Sequence, residues 1–312
     1  MNNELIVFLH NDLDAAFSQL NFEFVAPTVR KKYFYTNYGN MKEKISDIEN
    51  YIAVHQNNKI LIMDVSFSNN KDQLDRLYSM FDSLTLIDHH LYPDNFFDYY
   101  GSKLKVNYDK SKCAALLTNE YFKNQGKNKD LDTLTKITNV YDLWQVEDPL
   151  FDVSQNLNNF FWELGMDKFC SEVIRFNYSL PSYYPEVVKK INDRISEGIQ
   201  KLEQKKLIHR FGKVTVVFTD EFFNDVLIKE MKNGQDIVIN AMAYGIIKFR
   251  VSKYAPFTDE MLDTLSKVTS GEDVTGHKLA WTYKMKSQTS FENIMTEIQR
   301  VIKETFRICY DK

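Results

Sequence analysis

Leu84-Thr85-Leu86-Ile87-Asp88-His89-His90 is the stretch that decides the fold: a short, largely apolar run closed by one carboxylate and two imidazoles. A run this short and this apolar suits a strand buried on both faces, as in a parallel sheet covered by helices. The three polar groups then sit beyond the strand's carboxyl end, where open α/β sheets place their ligands.

Upstream, the same arrangement recurs twice. Leu5–Leu9 runs into His10-Asn11-Asp12-Leu13-Asp14, and Ile60–Met63 runs into Asp64. Downstream, Asp142 lies in the helical pattern Thr138-Asn139-Val140-Tyr141-Asp142. A lone strand-end aspartate is equally well a helix N-cap or a solvated loop residue, but three such clusters in succession argue against coincidence. His10, Asp12 and Asp14 alternate, so they share one side if the extended chain continues through them. Carboxylates and imidazoles are hard-to-borderline ligands, and gathered at one sheet edge they would form a two-metal hydrolytic site suited to phosphoryl transfer.

Around these clusters, strand and helix patterns alternate. Strands are expected at Glu4–Leu9, Tyr33–Tyr35, Lys59–Val65, Leu84–Ile87 and Leu104–Tyr108. Helices are expected from Leu13, over Met41–His55, Lys71–Phe81 and Ser111–Phe122 with Ser111 as N-cap, then Asp130–Trp144 and Ser154–Phe169. Alternation of this kind gives a doubly wound, mostly parallel α/β sheet. Pro181 and Pro185 interrupt the pattern, and a polar helix with a narrow apolar stripe follows to Lys206. Strand patterns restart at Lys213–Thr219, Asp236–Tyr244 and Ile246–Val251, with Tyr244-Gly245 as a hairpin turn, before helices at Thr258–Val268 and Phe291–Phe306. The domains read as 1–184, a connector helix over 185–206, and a smaller α/β domain over 207–312.

Composition sets bounds. The 312 residues are long enough for two cores, and a formal charge of −4 argues against wrapping long nucleic acid on a basic face. Three cysteines, Cys113, Cys170 and Cys309, are too scattered for a zinc knuckle or a disulfide framework. Leu5–Leu9 reads as a first strand, not a signal peptide, and no stretch approaches the roughly 20 apolar residues of a membrane span. A cytoplasmic protein without membrane partners, monomer or homodimer, is expected. Arg30–Tyr35 reads as an edge strand with solvated lysines, and Lys201–Arg210 as the basic end of the connector helix. Trp144, Trp162 and Trp281 read as packing residues, Trp281 being the one near enough to His277 to have another role.

In order and rough spacing, the four motifs resemble those of the DHH phosphoesterase family, named for its Asp-His-His triplet. The resemblance implies two manganese ions, with magnesium as the other candidate. It assigns His10 and Asp12 to one ion, Asp14, His89 and Asp142 to the other, and Asp64 as the bridge. Asp88 orients a ligand, and His90 lies beside the scissile phosphate. Ala15 stands where the family often has glycine. The C-terminal part resembles the DHH-associated domain, whose glycine-rich stretch ends in Gly-His. Here Ser270–Lys278 keeps Gly276 and His277 but carries Glu272 and Asp273 in place of glycines, and Arg250 matches a family arginine. Arg250, Gly276 and His277 are thus implied to hold substrate.

The activity implied is a nanoRNase-like or oligoribonuclease-like phosphodiesterase, cutting short oligonucleotides or dinucleotides to mononucleotides with a metal-activated hydroxide, the substrate enclosed between two domains. The alternatives are a cyclic (di)nucleotide phosphodiesterase, a 3′-phosphoadenosine 5′-phosphate phosphatase, and a non-catalytic nucleotide-binding module.

Overall fold

A computed structural model describes residues 4–37, 39–55, 59–124, 126–221, 223–243, 245–252, 254–270, 275–277, 279–285 and 290–310. The chain divides into two units, Met1–Lys189 and Lys190–Lys312.

The first unit opens with β1 (Leu5–His10), α1 (Leu13–Val25), β2 (Lys31–Thr36), α2 (Met41–His55), β3 (Lys59–Met63), α3 (Lys71–Met80), β4 (Ser83–Asp88) and β5 (Leu104–Tyr108). The helices α4 (Ala114–Tyr121), α5 (Lys129–Asp142), α6 (Phe151–Leu164) and α7 (Met166–Arg175) follow. All five strands are parallel, in the order β2-β1-β3-β4-β5. The unbroken apolar runs have a simple cause. Ile6, Phe8, Ile60, Ile62, Leu84 and Leu86 face a core with α2 and α3, whereas Val7, Leu9, Leu61, Met63 and Ile87 face a second core with α1 and α4–α7. Burial on both faces leaves no polar side to alternate with. The doubly wound parallel sheet expected from sequence is therefore present, and the strand order reverses between β1 and β3, the usual place for a ligand crevice.

Several local expectations change. The helix expected over Ser154–Phe169 is two helices, parted at Gly165, whose φ of 75° and ψ of 165° suit glycine almost alone. Ser111 is not the N-cap of α4; Cys113 is. Lys31 is not solvated on the edge strand β2, because its ammonium lies over the Phe22 ring and pairs with Glu23 at 2.5 Å.

Helix α8 (Tyr184–Gln204) contains the boundary between the units. The second unit continues with β6 (Ile208–Phe211), β7 (Val214–Phe218), α9 (Phe223–Lys232), β8 (Ile237–Ala241), β9 (Ile246–Val251), α10 (Asp259–Ser270), β10 (Thr275–His277), β11 (Ala280–Lys284) and α11 (Phe291–Cys309). Its sheet runs β10-β11-β9-β8-β7-β6, parallel only between β7 and β8, which α9 connects. One face packs Ile237, Ile239, Ile247, Phe249 and Trp281 against α10 and α11. Trp281 is 1% exposed and stacks on Phe249, so its role is packing. The basic segment is also corrected: α8 ends at Gln204, and Arg210 lies on β6 with its guanidinium forked between Glu203 and the buried Glu230. β8 and β9 pair antiparallel as a hairpin requires, while Tyr244 lies outside the described residues.

Candidate metal centre

Eight side chains from the first unit converge beyond the carboxyl ends of β1, β3 and β4: His10, Asp12, Asp14, Asp64, Asp88, His89, His90 and Asp142. They form three overlapping groups whose ligand atoms lie within 4.8 Å of one another: His10, Asp12 and Asp64; Asp14, His89 and Asp142; Asp64, Asp88, His89 and His90.

The first motif is held differently from the extended run its alternation suggests. β1 stops at His10, and Asp12 is the extended N-cap of α1, its Oδ1 accepting from Ala15 N–H at 3.0 Å. Its Oδ2 meets His10 Nδ1 at 2.6 Å. Asp14 is already in the first turn of α1, and its carboxylate turns to α4, accepting from Ala114 N–H and Ala115 N–H, both at 2.7 Å. The preceding amide, Cys113 N–H, donates to Asn139 Oδ1 of α5 at 2.8 Å. Three successive amides at the start of α4 are thus capped by side chains of α1 and α5, which takes the place of a local cap such as Ser111. Asn139 lies one turn before Asp142, so the contact that caps α4 also fixes the end of α5 that carries Asp142.

Asp64 sits at the centre. Its Oδ2 lies 3.9 Å from His10 Nδ1, and its Oδ1 lies 3.4 Å from His89 Nε2 and 4.0 Å from His90 Nδ1. Its backbone adopts φ 59°, a left-handed conformation that aspartate tolerates better than most side chains. His89 Nε2 also lies 3.4 Å from Asp142 Oδ2 and 3.7 Å from Asp14 Oδ2.

Asp88, fully buried, is a hub of a different kind. Its Oδ1 accepts from His89 N–H at 2.8 Å and meets His90 Nδ1 at 2.7 Å, and its Oδ2 accepts from the Tyr92 hydroxyl. Tyr92 belongs to no motif in the sequence. The only sequence signal for it was an aromatic residue two positions after the triplet.

The electrostatics call for positive charge. Burial first, and then the charges of Asp12, Asp14 and Asp142, push the Asp64 carboxyl well above its ordinary range. Burial and Asp14 do the same to Asp142, although His89 opposes them. Burial also raises Asp14 against the pull of His89. Asp12 runs the other way: burial raises it, but the hydrogen bond and charge of His10 bring it down to about 2. Burial would raise Asp88 too, and its bonds to His90 and Tyr92 hold it below the usual carboxylate range. Asp64 Oδ2 and Asp142 Oδ2 are buried and meet no hydrogen-bond partner. Buried carboxylate oxygens without donors are costly unless a cation satisfies them. The donor set is all oxygen and imidazole nitrogen, which suits a divalent cation and includes no thiolate.

The residues expected to hold substrate belong to the second unit. Arg250 lies on β9 and donates from Nη1 to the Phe249 carbonyl at 2.9 Å. Gly276 and His277 lie on β10, and Gly271, Glu272, Asp273, Val274 and Lys278 fall outside the described residues. Strand register places His277, Ala280, Arg250 and Val238 in one cross-strand row.

No protein-family model matches the chain, and no curated protein matches it. Solved structures do. The exonuclease RecJ bound to manganese aligns over 98% of this chain and 91% of its own, at TM-score 0.61 and 14% identity. An uncharacterized protein from Helicobacter pylori G27 aligns over 96% of this chain and 99% of its own, at TM-score 0.44 and 17% identity. RecJ in complex with Mg²⁺ from Thermus thermophilus aligns over 97% of this chain and 50% of its own, at TM-score 0.48 and 12% identity. The first of these likenesses shows that the chain has a RecJ-like fold.

Proposed function

We propose that this protein is a metal-dependent phosphodiesterase that hydrolyses short oligonucleotides or dinucleotides, with two Mn²⁺ ions as its cofactor. The observation that carries the reading is Asp64: a buried carboxylate with one oxygen toward His10 and the other toward His89, standing between two ligand groups. His10, Asp12 and Asp64 would hold one ion, and Asp14, His89, Asp142 and Asp64 the other. Bound there, the ions supply Lewis-acid charge to the phosphoryl oxygens and lower the pKa of the attacking water.

The protein's own groups do the rest. Asp88 holds His90 by Nδ1, which presents Nε2 as the nitrogen to meet a phosphoryl oxygen. The hydroxyl of Tyr92 holds Asp88 in turn. Arg250 brings a planar fork suited to a terminal phosphate, and Gly276-His277 on β10 would supply a further contact. Direct attack by water needs no nucleophilic Ser or Cys; Cys113, beside Asp14, is buried, and burial pushes its thiol well up.

The test is turnover of a labelled dinucleotide with Mn²⁺ and its loss on chelation. Arg250→Lys should lower kcat/KM on the dinucleotide by about tenfold or more, because an ammonium cannot reproduce bidentate contact, while a small chromogenic diester is cut at near wild-type rate. No metal-dependent turnover of any dinucleotide would sink the reading, and equal loss on both substrates would remove Arg250 from substrate binding.

A further inference from the structure

The chain that leaves the Asp88-His89-His90 triplet runs from the end of β4 to the edge strand β5 and is rich in aromatic residues: Tyr92, Phe96, Phe97, Tyr99 and Tyr100. Tyr100 anchors it. Its ring is fully buried in the core with α2 and α3, and its hydroxyl donates to Asp75 at 2.6 Å. Tyr92, Phe96 and Phe97 belong to a different cluster, which Tyr108 of β5 completes. Ring centroids lie 4.8 Å apart for Tyr92 and Phe96, 4.7 Å for Tyr92 and Phe97, 5.7 Å for Tyr92 and Tyr108, and 6.1 Å for Phe97 and Tyr108.

This second cluster is open to solvent where it meets the candidate metal centre. Leu104, Val106 and Tyr108 share one face of β5, and only Leu104 enters the core. Tyr108 is 38% exposed, and Leu91, directly after the triplet, is 63% exposed. Tyr108 is the register partner of Asp88, on strands about 4.8 Å apart, so it stands at the same end of the sheet as the metal ligands. Tyr92 joins the two: its ring meets Tyr108 edge to face, and its hydroxyl donates to Asp88, which holds His90 by Nδ1. An apolar, ring-lined surface is thus continuous with the groups that would face a phosphate.

Charge decides what such a surface can hold. Residues 91–102 include no Lys or Arg, but they include Asp94 and Asp98, both exposed. A surface that tracks a nucleic-acid backbone needs cations for its phosphates. A base is flat and uncharged and needs only a ring to lie against.

We propose that Tyr108, braced by Tyr92 and Phe97, is the stacking platform for a single base, that of a nucleotide adjoining the scissile phosphate. Stacking on a ring is indifferent to which base is present, because every base has a π-face. The platform therefore selects for a nucleotide beside the cut and not for a sequence. The nucleotide class of the ligand rests on the proposed function; the place of the base rests on this ring cluster alone.

The experiment is calorimetric titration of the full chain, loaded with Mn²⁺, with a dinucleotide made uncleavable by a methylene group in place of the bridging oxygen. Two analogues of that ligand, each lacking one base, are titrated beside it. Tyr108→Ala should weaken binding of the dinucleotide by about fivefold or more, the scale of one lost base–ring stack, and change binding of at least one analogue by less than about twofold. Tyr108→Trp should keep the affinity of the wild type. A loss of the same size on all three ligands would make the ring a packing residue, and no loss on the dinucleotide would leave the surface without a base; either result overturns the proposal. Mn²⁺-dependent turnover of an ordinary dinucleotide, measured on the same preparation, separates the two claims. Absent turnover with base-dependent binding through Tyr108 sinks the proposed function alone, and intact turnover without that dependence sinks the platform alone.

Discussion

At the scale of single residues, the site is a set of carboxylates held where they would not otherwise stay. Asp64 keeps a left-handed backbone and an oxygen without a donor, a combination that persists only where the surroundings enforce it. Tyr92 makes a sharper prediction than the ligands do. Its hydroxyl fixes Asp88, and Asp88 fixes His90, so Tyr92→Phe should lower kcat about 10- to 100-fold, the usual effect of removing a supporting hydrogen bond at a metal site. The Mn²⁺ requirement should stay within a few-fold of wild type. A large loss of Mn²⁺ affinity with unchanged kcat would place Tyr92 in ligand support and not in the Asp88–His90 pair.

At the scale of elements, the junction of α1, α4 and α5 couples stability to the site. Asn139 accepts from Cys113 N–H and stands one turn before Asp142. Asn139→Ala should therefore cost about 0.5–2 kcal/mol, the range for a lost N-terminal cap, and should weaken Mn²⁺ binding in the same variant. A thermal shift with unchanged Mn²⁺ affinity would show that α5 holds Asp142 without this contact. The strands of the first unit, and the carboxylates at their ends, were legible because double-sided burial writes itself as short apolar runs and because a charged residue closing such a run needs a reason. What held those carboxylates was not legible. Asp14 caps a helix 100 residues away, and neither Asn139 nor Tyr92 differs in sequence from an ordinary polar or aromatic residue. Gly165 was a visible breaker inside an otherwise continuous helical pattern, yet only its positive φ shows that the chain divides there. The strands β6, β10 and β11 are not among those expected from sequence because each is only three to five residues long.

At the scale of the whole molecule, the first unit gathers carboxylates at a sheet edge. No helix among the described residues is long and apolar enough to cross a membrane. A cation bound to native carboxylates but not to the unfolded chain stabilises the fold by mass action. Adding Mn²⁺ at about 100 times its Kd should therefore contribute about 2.7 kcal/mol and raise the thermal midpoint of the chelated protein by several degrees. An unchanged midpoint across a full Mn²⁺ titration would mean that the cluster holds no ion of consequence.

The central claim is that Asp64 joins two cation sites into one hydrolytic centre, and Mn²⁺ stoichiometry measured beside turnover tests it most directly. The wild type should bind two ions per chain and cut a chromogenic phosphodiester. Asp64→Ala, folded as judged by circular dichroism, should lose the second equivalent and lose far more than the roughly 100-fold expected for a supporting residue. A single equivalent in the wild type, or turnover near wild type in Asp64→Ala, would contradict the account.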